Sequence, residues 1–258
     1  MAPTRTDSLS ALTRRLRRAG CVFAEDEALL LVATAHTPDR LAEMADLRCR
    51  GVPLEHVLGW ARFCGLRVAV DPGVFVPRPR TEHLARSAAA LLGPGSTAVD
   101  LCCGSGAVGA HLLRARPGTV LHAADIDPAS VACARRNLPG RPVHLGDLYD
   151  ALPKGLGGRV DVLVANAPYV PTGRIALLPP EARDHEDRRA LDGGPDGLGP
   201  VRRVAAHARR WLAPGGHLLV EVDEGQVPGA AAAFTGGGLT TRALTCPRTG
   251  ATVLAGGR

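Results

Sequence analysis

The sequence predicts an α/β chain: a doubly wound, mostly parallel sheet of seven strands with an antiparallel edge, preceded by a small helical piece and a linking β-hairpin. Three observations predict it. From about residue 96, short apolar runs alternate with helical segments, the pattern of repeated βαβ units. The two closing runs, LTTRALT and ATVLAG, stand a few residues apart around Pro247 and Gly250, too close for a helical crossover, so they pair antiparallel. The first sixty residues instead carry helical spacing.

Taken in order, Asp7 is placed to cap a helix with Leu9, Leu12 and Leu16 on one face and Gly20 at its end. Thr37-Pro38 sets a cap and a proline at the first helical position before Leu41, Met44 and Leu47, and Gly51 closes that helix. FCGLRVAV and VFVPR flank Asp71-Pro72-Gly73, which reads as a hairpin turn. STAVDLCC, TVLHAADI, RPVHLG, VDVLVANA and GHLLVEVD follow as five strands, with PASVACARRNL and VRRVAAHARRWL among the helices between them. The closing runs bring the strands to seven.

Composition supports this frame and excludes several classes. A 258-residue chain that is 45% hydrophobic buries a full core, so disorder is excluded. Aromatics make up 3% while there are 31 Gly and 21 Pro, so the core is built from Ala, Val and Leu, and each aromatic is informative. Seven cysteines without a C-x-x-C pair indicate neither a disulfide framework nor a zinc knuckle, and no metal site is expected. A reducing cytoplasm fits. The N-terminus lacks the apolar stretch of an export signal, and no run of about 18 apolar residues would span a membrane. The net charge of +6 is compatible with nucleic acid, but only Arg14, Arg15, Arg17 and Arg18 form a cluster, and a generally Arg-rich surface explains it as well.

The chemistry gathers at strand ends. Asp100 begins DLCCGSGAVG, a glycine-rich turn that brings a ligand against bare backbone at a helix N-terminus; alone it suits dinucleotides and adenosyl ligands equally, or simply packs a helix on the sheet. About twenty residues on, Asp125 stands where ribose hydroxyls are bound, and Asp127 caps the helix starting at Pro128. The third strand ends at Asp147-Leu148 and the fourth at Asn166-Ala167-Pro168-Tyr169. Four polar strand ends on the carboxyl edge of one sheet form a ligand site in open α/β folds.

In order along residues 52–225, PLEHVLGWARFCGLRVAVDPGVFVPRPRTEHL, DLCCGSGAVG, ADIDPASVACARRN, GDLYDALP, VANAPYVP and ALDGGPDGLGPVRRVAAHARRWLAPGGHLLVEV make the sequence resemble the protein-(glutamine-N5) methyltransferases of the HemK/PrmC family. These are Rossmann-like class I S-adenosylmethionine-dependent methyltransferases whose members modify peptide-chain release factors. The resemblance implies a substrate-recognition piece at residues 1–62, a linker at 63–84 and a methyltransferase domain at 85–258. It implies S-adenosylmethionine bound by Cys102, Cys103, Gly104, Ser105 and Gly106, with Asp125 on the ribose, Asp147 and Leu148 beside the adenine, and Asn166 near the methyl. Pro77-Arg78-Pro79, with Thr81 and Glu82, closes over the cofactor. Asn166, Ala167, Pro168 and Tyr169 form the catalytic and acceptor-binding motif, the Asn166 amide oxygen and the carbonyl of Ala167 taking the two N–H bonds of a glutamine amide. The implied partner is a release factor, met by a monomeric enzyme without membrane or direct nucleic-acid contact.

Three departures stand out. Ala167 replaces the first proline of the family motif, Cys102-Cys103 replace Gly-Thr, and Arg80 replaces an acidic residue, changing charge near the expected acceptor mouth. The cysteines read as small packing residues. Two alternatives stay open at this level: methylation of a nucleic-acid amino group of the adenine-N6 type, since the same motif grips any planar amino nitrogen, and a catalytically silent module that binds the cofactor or a peptide.

Overall fold

A computed structural model describes residues 5–258, with side chains from residue 9 onward. Four helices open the chain: α1 (Arg5–Arg18), α2 (Ala24–Thr34), α3 (Pro38–Cys49) and α4 (Leu54–Leu58). Helix α1 starts before Asp7, whose expected cap lies outside the described side chains. The Thr37 cap is present, its hydroxyl accepting from Arg40 N at 3.2 Å. These helices bury Leu12, Leu16, Ala28, Leu31, Met44 and Val57 in a core of their own. Within it Arg48 forms an almost fully buried ion pair with Glu27 at 2.6 Å, and the same guanidinium reaches Glu181 at 2.7 Å.

The hairpin lies one turn earlier than the sequence suggests. Strands β1 (Trp60–Phe63) and β2 (Leu66–Ala69) pair around Cys64-Gly65, both in the left-handed region at φ 48° and 76°. Two successive positive φ values match the twist of the paired strands, so Cys-Gly makes the tighter hairpin. Asp71-Pro72-Gly73 instead opens an irregular linker toward a short 3-10 turn, Pro79–Thr81.

The remaining chain forms α5 (Glu82–Leu91), β3 (Thr97–Leu101), α6 (Ala107–Ala115), β4 (Val120–Asp125), α7 (Pro128–Asn137), β5 (Val143–Leu145) and β6 (Val160–Ala165). It continues through α8 (Pro180–His185), α9 (Gly199–Trp211), β7 (Leu212–Val222), α10 (Val227–Gly236), β8 (Arg242–Thr245) and β9 (Thr252–Gly257). The sheet runs β5-β4-β3-β6-β7-β9-β8. β3 to β7 are parallel, and β9 is antiparallel to both its neighbours, as the short final connection requires. Val, Leu and Ala runs on β3 and β6 are buried on both faces because helices cover both, which is why they read as continuous apolar stretches. α5, α6 and α7 pack one face through Leu84, Leu112 and Val131; α9 and α10 pack the other through Val204 and Phe234. Strand order reverses between β3 and β6, opening a crevice at their carboxyl ends. Among the described residues no helix is long and apolar enough to cross a membrane.

Candidate active site

At that crevice a cavity of about 760 Å³ collects the ends of β3, β4 and β6. The turn after β3 is built on left-handed backbone at Cys102 (φ 54°), Gly104 (52°) and Gly106 (77°). A side chain at Gly104 would meet no protein atom within 4 Å, because bare backbone here fronts the cavity. Gly106 serves packing instead: a Cβ there would come within 3.0 Å of Leu138 and 3.2 Å of Ala134, the contact that seats α6 against α7. Of the residues singled out in the sequence for the cofactor and the acceptor, all line the cavity except Gly106, Pro79 and Glu82; Glu82 turns away to accept from Cys64 N at 2.7 Å and to pair with Arg86.

Two carboxylates, Asp100 fully buried and Asp125 partly so, brace this turn. Asp100 Oδ2 accepts from Gly109 N at 2.9 Å, and complete burial pushes its carboxyl up to about 7. Asp125 accepts from Gly104 N at 2.8 Å through Oδ2 and from Asp127 N at 2.9 Å through Oδ1. Burial raises the Asp125 pKa and those two amides oppose the rise. Each oxygen keeps a second lone pair for a hydroxyl donor. Asp127 Oδ2 caps α7 at Ser130 N, 2.9 Å away. Asp147 is held by Arg203 at 2.7 Å, and Leu148 after it is left-handed at φ 48°. Cys102 and Cys103 have thiol pKa values raised by burial, which leaves both as unreactive neutral thiols. Among the described residues no group of three or more His, Cys, Asp and Glu is placed to hold a metal ion.

Beyond β6 the character changes. Asn166 Nδ2 lies 3.5 Å from Thr81 Oγ1, while its Oδ1 is buried without a hydrogen-bond partner among the described residues. The Tyr169 hydroxyl donates to Glu221 Oε1 at 3.1 Å, and its carbonyl accepts from Gln226 Nε2 at 2.8 Å. Arg80 does not line the mouth, contrary to the expectation that it changes charge there. It sits behind Tyr169, 5.7 Å from the ring centre, neutralised by Glu221 and Asp223 at 3.1 Å each. The outer wall is the returning chain: Val170 N donates to Leu191 O at 3.0 Å, and buried Glu186 holds Arg78 at 2.6 Å and Val76 N at 3.1 Å. Phe75, Pro77, Leu178, Pro179 and Ala182 give this half an apolar lining.

Glu221 and Phe75 escape a motif reading, since neither stands in a recognisable spacing. Asp100 has a signal, being the last acidic residue before the glycine turn. Thr81 is named with the linker in the sequence, yet its contact is with Asn166 as well as the cavity.

The sheet order and a crevice of this construction define a class I methyltransferase. A family model, the methyltransferase small domain, matches residues 66–177. The chain is 40% identical over 218 residues to the release factor glutamine methyltransferase of Mycolicibacterium smegmatis, covering 81% of this chain and 76% of the relative. It is 36% identical over 250 residues to the 4-amino-L-phenylalanine/4-methylamino-L-phenylalanine methyltransferase of Streptomyces pristinaespiralis, covering 93% and 85%. A solved methyltransferase of Pyrococcus furiosus shares the fold at a TM-score of 0.56 and 18% identity, over 75% of this chain and 89% of that one. The chain belongs to the release factor glutamine methyltransferase family. Family and fold imply the use of S-adenosylmethionine, and the open space over Gly104 beside the Asp125 carboxylate fits that group.

Proposed function

We propose that this enzyme methylates the side-chain amide nitrogen of a glutamine in a protein, a peptide-chain release factor. The observation that carries the reading is the buried Oδ1 of Asn166 at the wall of the cavity, without a hydrogen-bond partner among the described residues. A buried acceptor without a donor costs about 1–3 kcal/mol, and an incoming N–H removes that cost.

S-adenosylmethionine, when bound, supplies a methyl group already activated by its sulfonium. Asp125 would hold its ribose, the turn from Cys102 to Ser105 its methionine part, and Asp147 with Leu148 its adenine. The remaining work is orientation. A glutamine amide is a weak nucleophile because its nitrogen lone pair is delocalised into the carbonyl. Asn166 Oδ1 and the carbonyl of Ala167 accept its two N–H bonds and fix the direction of the nitrogen, while the Tyr169 ring flanks the planar amide. Both acceptors also favour positive charge developing on nitrogen. Such positioning removes up to roughly 7–11 kcal/mol of barrier in ideal cases. No strong base is required as the bond forms.

Membership of this family does not favour the nucleic-acid or silent-module alternatives. A second reading has its own support. The Streptomyces pristinaespiralis relative matches a larger share of this chain and by its name acts on an amino group carried by a phenyl ring. An aromatic amine presents the same two N–H bonds to Asn166, and Phe75, Leu178 and Pro179 offer apolar surface to a ring. The reading places the enzyme in a reducing cytoplasm, supported by seven free cysteines.

The test is single-turnover transfer from labelled S-adenosylmethionine to a release-factor fragment and, separately, to 4-amino-L-phenylalanine, with mass spectrometry locating the methyl. Label on a glutamine side chain supports the first reading. Label on the aromatic amine alone replaces it with the second, and label on Arg, Lys or a nucleobase overturns both.

A further inference from the structure

Strand β2 ends in a residue whose backbone has no strand to pair with. Phe63 and Leu66 flank the two-residue Cys64-Gly65 turn and form a hydrogen-bonded pair, after which bonded and non-bonded pairs alternate along the antiparallel ladder. Ala69, opposite Trp60, therefore falls at a non-bonded position, and its N–H and C=O point away from β1. A rung left open in this way needs a partner.

The partner is one side chain, Asn137, the last residue of α7. Its Oδ1 accepts from Ala69 N at 2.9 Å and its Nδ2 donates to Ala69 O at 2.8 Å, so the amide stands in for a peptide of a further strand. The same nitrogen also donates to Ser105 O at 2.8 Å, in the glycine-rich turn after β3. Reversing the amide would set NH₂ against the Ala69 N–H and an oxygen against two carbonyls, so these partners fix its orientation. Asn137 itself lies outside the cavity, whereas Ser105 lines it and is 2% exposed. Two other side chains of α7 hold the same linker: Cys133 Sγ reaches Ala69 O at 3.3 Å, and Arg136 pairs with Asp71 at 2.6 Å. Among the described residues neither has a hydrogen bond to the turn.

We propose that Asn137 is a positioning residue of the cofactor site: without touching the cofactor, it fastens the linker that forms one wall of the cavity to the turn that forms another. Beyond Ala69 the linker supplies Gly73, Phe75, Pro77 and Arg78 to the lining. The turn supplies Cys102 to Ser105. With both tied to one amide, the gap between them is set before the cofactor arrives, and affinity gains because neither wall has to be ordered on binding. The proposal rests on the reading that this turn seats S-adenosylmethionine, but the fastening itself can be observed in the cofactor-free chain.

The chemistry of the amide decides which substitutions break the fastening. Leucine has a similar shape but neither donor nor acceptor, so Asn137→Leu leaves the Ala69 N–H, the Ala69 carbonyl and the Ser105 carbonyl without this partner. Aspartate keeps the bond from Ala69 N, yet when ionised it offers only oxygens and sets negative charge against the two carbonyls. Those carbonyls, with Asp71 nearby, disfavour the ionised form, and Arg136 favours it. The neutral acid regains one O–H donor. Asn137→Asp is therefore at its worst when ionised and recovers as pH falls and the new carboxyl takes up its proton.

The experiment uses the full chain and S-adenosylmethionine, with no acceptor. Asn137→Leu should raise the Kd by calorimetry roughly 10-fold, the lower end of the range for groups that orient a direct contact. Asn137→Asp should bind as weakly at alkaline pH and approach the wild type as pH falls. The ratio of the two affinities is the readout, because Asp71, Arg136 and Cys133 beside residue 137, and Asp100 and Asp125 around the turn, are common to both proteins. Phe234→Leu, a core change on the opposite face of the sheet, should lower the unfolding temperature and leave the Kd unchanged, which separates fastening from stability. In the cofactor-free chain, hydrogen exchange in Asn137→Leu should quicken together at Ala69 and at the turn amides of Gly104 and Gly106. Wild-type affinity in Asn137→Leu beside weakened binding in Asp125→Ala would overturn the fastening and leave the cofactor seat standing. Wild-type affinity in Asp125→Ala would reject the seat itself. A pH-independent ratio for Asn137→Asp, or quickened exchange at Ala69 alone, would also overturn the fastening.

Discussion

The two halves of the cavity are held by different kinds of bond. On the cofactor side, Asp100 and Asp125 accept from main-chain amides of Gly109, Gly104 and Asp127, all within residues 100–127. On the acceptor side, Asn166 and Tyr169 are joined through side chains to Thr81 and Glu221, and Arg80 pairs with Glu221 and Asp223, so three distant stretches of chain meet. A site made from main chain tolerates changes of side chain. One made from side chains is fixed by each of its members.

The largest expected effect lies on the acceptor side. Asn166→Ala removes the side-chain amide acceptor of the motif, and kcat should fall by roughly 100-fold or more, with cofactor affinity much less affected. Single-turnover transfer and calorimetry measure the two. An equal loss in both would erase the distinction between the halves.

Next in size is Asp125→Ala. It withdraws a charged acceptor from the ribose and from two amides, and S-adenosylmethionine should bind roughly 10- to 100-fold more weakly, as for the loss of hydrogen bonds to a charged group. Unchanged affinity by calorimetry would refute the assignment.

The smallest effect sharpens the contrast. Cys102 holds a left-handed φ of 54°, a conformation costing a non-glycine residue about 1–2 kcal/mol. Cys102→Gly relieves that strain and gives back about 0.5–1 kcal/mol through the greater freedom of glycine in the unfolded chain. Thermal unfolding should rise by roughly a degree or two. A fall would mean that the thiol, rather than the backbone, holds the turn.

This contrast also explains what was legible in the sequence. The sheet, its antiparallel edge and the main-chain half of the cavity announce themselves through local spacing: Gly104 and Gly106 after Asp100, Asp125 at a strand tip, Asp127 before Pro128. The left-handed Cys64-Gly65 turn was a weaker signal than Asp71-Pro72-Gly73, because cysteine is an uncommon first residue for a hairpin of that type. Glu221 could not be found by spacing. Its partners lie 52 residues away at Tyr169 and over a hundred away at Arg80; the pairing of β6 with β7 brings Tyr169 to it, and the turn before α5 brings Arg80. Arg80 was misplaced for the same reason: Arg78 and Thr81 line the cavity, while its own guanidinium turns toward β7.

Arg48 carries a further consequence. One guanidinium serves Glu27 within the N-terminal helices and Glu181 on the wall of the cavity. If the placement of that cation differs between the free and the occupied cavity, the helices and the acceptor wall share a coupling free energy. Reciprocity then applies: a protein surface that settles on the helices and tightens the cavity must itself be held more tightly, by the same factor, once the cavity is filled.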